Sequence, residues 1–104
     1  MKAVEYFAMY DAQITSKNKE EALLATGKLV QALMRDAAKL IEVRNVKTTR
    51  GVVSIGKELN KKWNAICRLF EEKYSYPVLK MNGFMDIFNS WVMRGGENST
   101  DEKS

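Results

Sequence analysis

Residues 19–44, KEEALLATGKLVQALMRDAAKLIEVR, carry the strongest periodic signal in the chain. Apolar residues recur there at alternating intervals of three and four, which is the spacing of one face of an α-helix. The residues that define this face are Leu23, Val30, Leu33, Ala37 and Leu40. We therefore predict one long amphipathic helix over residues 19–44.

The segments on either side of this helix are helical in pattern as well. Apolar periodicity predicts further helices near residues 3–14, 54–74 and 83–93. Asn18 and Ser54 each precede a predicted helix, and their side chains can accept hydrogen bonds from the first exposed backbone N–H groups. The predicted fold is all-α: a small four-helix bundle or an open helical array.

Two segments interrupt the helical pattern. Residues 45–53, NVKTTRGVV, contain β-branched residues and a glycine, and we expect a loop or a short extended piece there. Residues 95–104 are polar and begin with two glycines, a composition typical of disorder. We expect a single helical domain over residues 1–94, followed by a disordered polar tail.

The composition excludes most kinds of catalytic site. The 104 residues include no histidine and one cysteine, Cys67. A Ser/His/Asp triad, a disulfide framework or a zinc site therefore cannot form within one chain. We expect a non-enzymatic protein with neither a metal nor a cofactor.

The same residues suggest a compartment. The N-terminal stretch lacks the uninterrupted apolar run of a secretory signal, and no stretch approaches the roughly 20 apolar residues that span a bilayer. A single cysteine fits a compartment in which thiols stay reduced. We expect a cytoplasmic protein that does not act at a membrane.

Positive charge is concentrated in residues 44–62, where six basic residues accompany one acidic residue, Glu58. The candidate residues for binding nucleic acid or an acidic partner are Arg44, Lys47, Arg50, Lys57, Lys61, Asn64 and Arg68. Four of them, from Lys57 to Arg68, share one helix face by their spacing. Such a face can contact phosphates, but a solvated helix face has the same pattern.

The long helix also suggests self-association. Its 26 residues would extend about 39 Å, more than the ~26 Å diameter of a compact domain of this size. We expect part of it to overhang and its apolar face, from Leu23 to Leu40, to form a homodimer, unless that face packs only against the chain's own core. Tyr6 and Tyr10 lie beside the apolar face of the first helix, and they are candidates for a protein interface.

Residues 46–94 resemble the C-terminal domain of phage antirepressors, a family of small helical modules. The residues that carry the resemblance are Val46, Lys47 and Arg50 at a basic start, Trp63, Ile66, Leu69, Phe70 and Tyr74 in an amphipathic helix, and Phe84, Ile87, Phe88 and Trp91 in a closing helix. The Asp-Ile-Pro turn of that family is replaced here by residues 79–82, Leu-Lys-Met-Asn.

The resemblance implies a phage or prophage regulatory protein of the bacterial or phage-infected cytoplasm that acts by binding and self-association. Together with the small size, the composition and the long apolar face, it leads us to expect a bacterial protein as the target, one involved in transcription, replication or defence. Direct binding of DNA or RNA through residues 44–68 is the alternative function.

Overall fold

The computed structural model of the chain describes residues 2–79 and 83–94. It contains four α-helices: α1 (Ala3–Ile14), α2 (Lys19–Val43), α3 (Thr49–Tyr74) and α4 (Gly83–Met93). The predicted all-α fold is therefore confirmed. The predicted tail, residues 95–104, lies outside the described residues.

Helices α1, α2 and α3 form an up-down-up bundle. Tyr6 of α1 donates a hydrogen bond to Asp36 of α2, and the rings of Phe7 and Phe70 of α3 pack edge to face with centroids 4.8 Å apart. Near the other end of α1, Tyr74 donates a hydrogen bond of 2.5 Å to the Asp11 carboxylate. These pairs place α1 antiparallel to α2 and parallel to α3. The apolar faces of all three helices meet in one core.

Helix α2 begins as its sequence predicts. The Asn18 side chain accepts hydrogen bonds from the backbone N–H groups of Glu20 and Glu21, at 3.0 and 3.2 Å. At the other end Asn45 takes a left-handed conformation with φ 54°, which asparagine adopts more readily than most residues. This turn lets the Val46 N–H donate to the Ile41 carbonyl and reverses the chain toward α3.

The predicted start of α3 at Ser54 is wrong, because the helix already begins at Thr49. Thr48 is the capping residue, and its hydroxyl accepts a 3.0 Å hydrogen bond from the Gly51 N–H. Gly51 is needed for the close approach of Val46, since a Cβ at position 51 would lie 2.5 Å from Val46 Cγ1. Most of the predicted loop is therefore the first turn of a helix, and residues 44–48 make the connection.

Helix α4 packs antiparallel on α3 through aromatic side chains. Phe84 stacks on Trp63 with ring centroids 6.2 Å apart, and the Phe88 ring lies against Gly56, where α3 presents no side chain. Trp91 extends the same cluster, its ring centroid 5.5 Å from that of Phe88. Both tryptophans therefore lie at or beside the α3–α4 interface.

Helices α2 and α3 have nearly the same length, 25 and 26 residues, and run antiparallel. The N-terminal part of α2 is nevertheless less covered than the rest of the helix, because Leu23 is 76% exposed although it lies on the same helix face as the buried Val30. The domain is elongated, with extents of 40 × 27 × 20 Å. Among the described residues, no helix combines the length and apolar character needed to cross a bilayer.

Candidate nucleic-acid interface

Four basic side chains lie on the side of α3 that faces away from the core. They are Arg50, Lys57, Lys61 and Arg68, at intervals of seven, four and seven residues, and all four are exposed. Because a helix turns 100° per residue, these intervals keep them on one face, opposite the buried Ile55, Leu59 and Ile66. We call this set the basic face.

The early start of α3 brings Arg50 into the basic face. A helix that began at Ser54 would leave Arg50 in a preceding loop, whereas the observed helix fixes its direction relative to Lys57. At 1.5 Å per residue, the face extends about 27 Å from Arg50 to Arg68. Lys47 lies just ahead of the helix and is also exposed, so it adds charge at the same end.

Arg44 lies in an ion pair instead of on the basic face. Its guanidinium makes two hydrogen bonds to the Glu58 carboxylate, at 2.8 and 3.1 Å. The hydrogen bonds from Arg44 hold the pKa of Glu58 below its ordinary value, and they raise the pKa of Arg44. The pair ties the end of α2 to α3 and neutralises the acidic residue of the segment.

Asn64 fits the predicted interface less well than the basic residues do. Its position in the sequence places it on the basic face, but its side-chain oxygen is buried and makes no hydrogen bond within residues 2–79 and 83–94, and the same holds for Asn60. The buried oxygen cannot accept a hydrogen bond from a base edge, which leaves only the side-chain NH2 group to donate one, so we restrict the basic face to the four cations.

The residues predicted to mediate self-association lie mostly inside the chain's own core. Val30, Leu33 and Ala37 are buried between α2 and its neighbours, and Leu40 is partly buried against the same core. The prediction is wrong for them, because α1 and α3 cover this face. Leu23 is different: it is 76% exposed.

Tyr6 is not part of an exposed interface. It is 1% exposed, and its hydroxyl donates to the Asp36 carboxylate. Burial and this hydrogen bond raise the pKa of Tyr6 above its ordinary value. The sequence pattern did not predict this buried hydrogen bond, because apolar spacing does not show that Asp36 of α2 lies beside the Tyr6 hydroxyl. Tyr10 is partly exposed and packs against the edge of the core.

Two other reactive side chains, those of Cys67 and Asp11, lie in contacts that stabilise the fold. Burial raises the pKa of the Cys67 thiol to about 11, which keeps it protonated at neutral pH. The Asp11 carboxylate accepts hydrogen bonds from Lys73 and Tyr74, both at 2.5 Å, and so joins the ends of α1 and α3. Over residues 2–79 and 83–94, the structure contains no cluster of three or more acidic or cysteine side chains placed to hold a metal ion.

Comparison of the chain with protein-family models, with curated proteins and with solved structures found no match.

Proposed function

We propose that this protein binds nucleic acid through the basic face of α3. The observation that carries the proposal is the alignment of Arg50, Lys57, Lys61 and Arg68 along one exposed side of a 26-residue helix. Their ammonium and guanidinium groups can each neutralise a backbone phosphate and release its counterions. The face has a linear shape that suits a phosphate backbone better than a small anion.

The N-terminal end of α3 supports this proposal. The first turn of a helix favours negative charge, because its backbone N–H groups point outward and the helix dipole is positive there. In α3 that turn contains no acidic residue, and it carries Arg50 shortly after Lys47. Lys47 and Arg50 repel each other in the unbound protein, and a phosphate placed beside them would be attracted by both.

The test is a triple variant, K57Q/K61Q/R68Q, measured by fluorescence anisotropy with a labelled DNA duplex and a labelled single strand. We expect the wild type to bind with an affinity that falls steeply as salt is raised. Loss of three phosphate contacts should lower the slope of log affinity against log salt by about 3. Affinity at low salt should fall by about 100-fold or more, with the helical circular dichroism unchanged.

The matched control is K2Q/K17Q/K39Q, which removes the same charge from exposed positions outside α3. If the control loses as much affinity as the triple variant, binding depends on net charge and the basic face is not the site. If the wild type binds neither probe at low salt, the proposal is wrong.

A second candidate function is regulation through a protein partner. Here the chain would be a phage-type regulator that acts as a homodimer and binds a bacterial protein. The observation that favours it is the exposure of Leu23 and Leu24, large apolar side chains that a helix in water normally buries. In that case L23S/L24S, which removes the apolar contact of the homodimer, should lose a partner that the wild-type dimer retains from bacterial lysate, whereas K57Q/K61Q/R68Q should keep it.

A further inference from the structure

The N-terminal half of α2 has an exposed apolar patch on the side away from the core. Leu23 is 76% exposed and Leu24 is 61% exposed. Together with Gly27, one turn further along α2, they line a shallow surface depression. Glu20, Lys28 and Gln31 form its other borders. We call these six residues the α2 patch.

No contact within the described part of the chain requires glycine at position 27. It lies in the interior of a regular helix, where glycine is less favourable than alanine. A Cβ built at this position would meet nothing within 4 Å. At Gly51 and Gly56, by contrast, a Cβ would meet a neighbouring side chain at 2.5 Å. An opening at Gly27 is useful to a side chain that arrives from another molecule.

The charges around the patch indicate which molecule that is. Glu20 lies four residues before Leu24 and Lys28 four residues after it, so the two opposite charges are symmetric about Leu24. Neither has an oppositely charged residue three or four positions away within α2, where helix neighbours pair. In a second copy packed antiparallel about a two-fold axis at Leu24, each Glu20 would face the partner's Lys28.

We infer that the α2 patch binds a second copy of this chain, with the two α2 helices antiparallel and crossing at Leu24. Leu24 of each copy then packs on Leu24 of the other, Gly27 leaves room for the partner's helix to approach, and two Glu20–Lys28 pairs close the ends of the contact. A parallel pair would instead place like charges opposite each other. The inference rests on the self-association in the proposed function, and it moves that contact from the buried face of α2 to the outer one.

The size of the patch sets the strength of the dimer. It covers residues 20–31, about 18 Å of one helix, which is small beside the interfaces of permanent dimers. We therefore expect a reversible dimer whose population rises with concentration over the micromolar range. Because the patch shares no residue with the basic face of α3, the two surfaces can be tested separately.

The test is a charge-exchange experiment followed by sedimentation equilibrium, with no nucleic acid present. E20K alone and K28E alone each replace two attractive pairs by two repulsive ones, and the double variant E20K/K28E restores both with reversed sign. Each single variant should weaken the dimer by about 30-fold, from roughly half a kilocalorie per exposed pair lost and the same again for repulsion. The double variant should regain most of the wild-type affinity.

The matched control is E42K. Glu42 is also an exposed acidic residue of α2, but it lies 18 residues after Leu24, so the control makes the same change of charge on the same helix outside the patch. Its dimer affinity should stay within about threefold of the wild type.

Several outcomes would overturn the inference. The wild type could remain a monomer at several hundred micromolar, the double variant could stay as weak as the singles, or E42K could match E20K. Failure of the dimer would leave the salt-dependent binding of nucleic acid by α3 unaffected, and a dimer that binds no nucleic acid would overturn only the function proposed for α3.

Discussion

Substitution of Gly56 by alanine tests how α4 is held on the bundle. A Cβ at this position would lie 2.5 Å from Cδ2 of Phe88 and 3.0 Å from its Cζ, whereas ordinary carbon contacts begin near 3.4 Å. The ring, which is fully buried, must therefore move by about 1 Å. Overpacking of a core costs about 1–3 kcal/mol, while alanine in a helix gains about 1 kcal/mol over glycine.

The matched control is the same substitution at Gly27. That glycine is also in the interior of a long helix, but a Cβ there meets nothing within 4 Å. G27A should therefore raise the free energy of unfolding by about 0.5–1 kcal/mol. G56A should lower it by up to about 2 kcal/mol, because the gain in helix propensity only partly offsets the overpacking.

Urea unfolding at low micromolar concentration, followed by circular dichroism, measures both changes. Tryptophan fluorescence adds a local readout, because Trp63 stacks on Phe84 of α4 and Trp91 lies beside Phe88. In G56A the emission should shift to the red, which indicates a more hydrated interface. A G56A protein that is stabilised as much as G27A, with unchanged emission, would refute this packing of α4 on α3.

Two further predictions concern titratable groups. Burial opposes the ionisation of Asp11, but the hydrogen bonds from Lys73 and Tyr74 outweigh it and hold the Asp11 pKa below its ordinary value of 3.8. The ionised carboxylate therefore stabilises the fold above about pH 4. This stabilisation is lost as the pH falls through the lowered pKa. D11N should lower the urea midpoint at pH 7, and its difference from the wild type should shrink toward pH 3; a difference that does not depend on pH would contradict this role. Because burial raises the Cys67 pKa to about 11, iodoacetamide at pH 8 should label the folded protein at least about 100-fold more slowly than the urea-unfolded protein, and equal rates would show that the thiol is accessible.

The sequence predicts those parts of the fold that depend on local patterns. Helix α1 and the start of α2 agree with the periodicity, because the apolar spacing and the Asn18 cap are both local signals. The start of α3 does not. Threonine, valine and glycine are weak helix formers, and the first turn forms because Thr48 caps it and Val46 packs against Gly51. The sequence alone does not show that second contact.

The candidate surfaces were predictable in part for the same reason. Spacing alone places Lys57, Lys61 and Arg68 on one face of α3. It does not identify which leucines of α2 are covered, because Leu23 has the spacing of the inner face and is nevertheless exposed. Helices α1 and α3 pack on one face of α2 and bury Leu33 and Ala37 there, whereas Leu24 lies on the opposite face and stays exposed.

Dimerisation through the α2 patch would strengthen the binding of nucleic acid by the basic face. A patch that covers only residues 20–31 supports a weak dimer, and a face of four cations supports only modest affinity for nucleic acid at physiological salt. A two-fold pair of chains joined at Leu24 would carry two copies of the basic face. When one copy has bound, the second is held at a high effective concentration near the same strand, so two weak contacts together bind more tightly than either alone. Each surface therefore has a physical reason to be weak by itself, and their placement on different helices lets both be occupied at once.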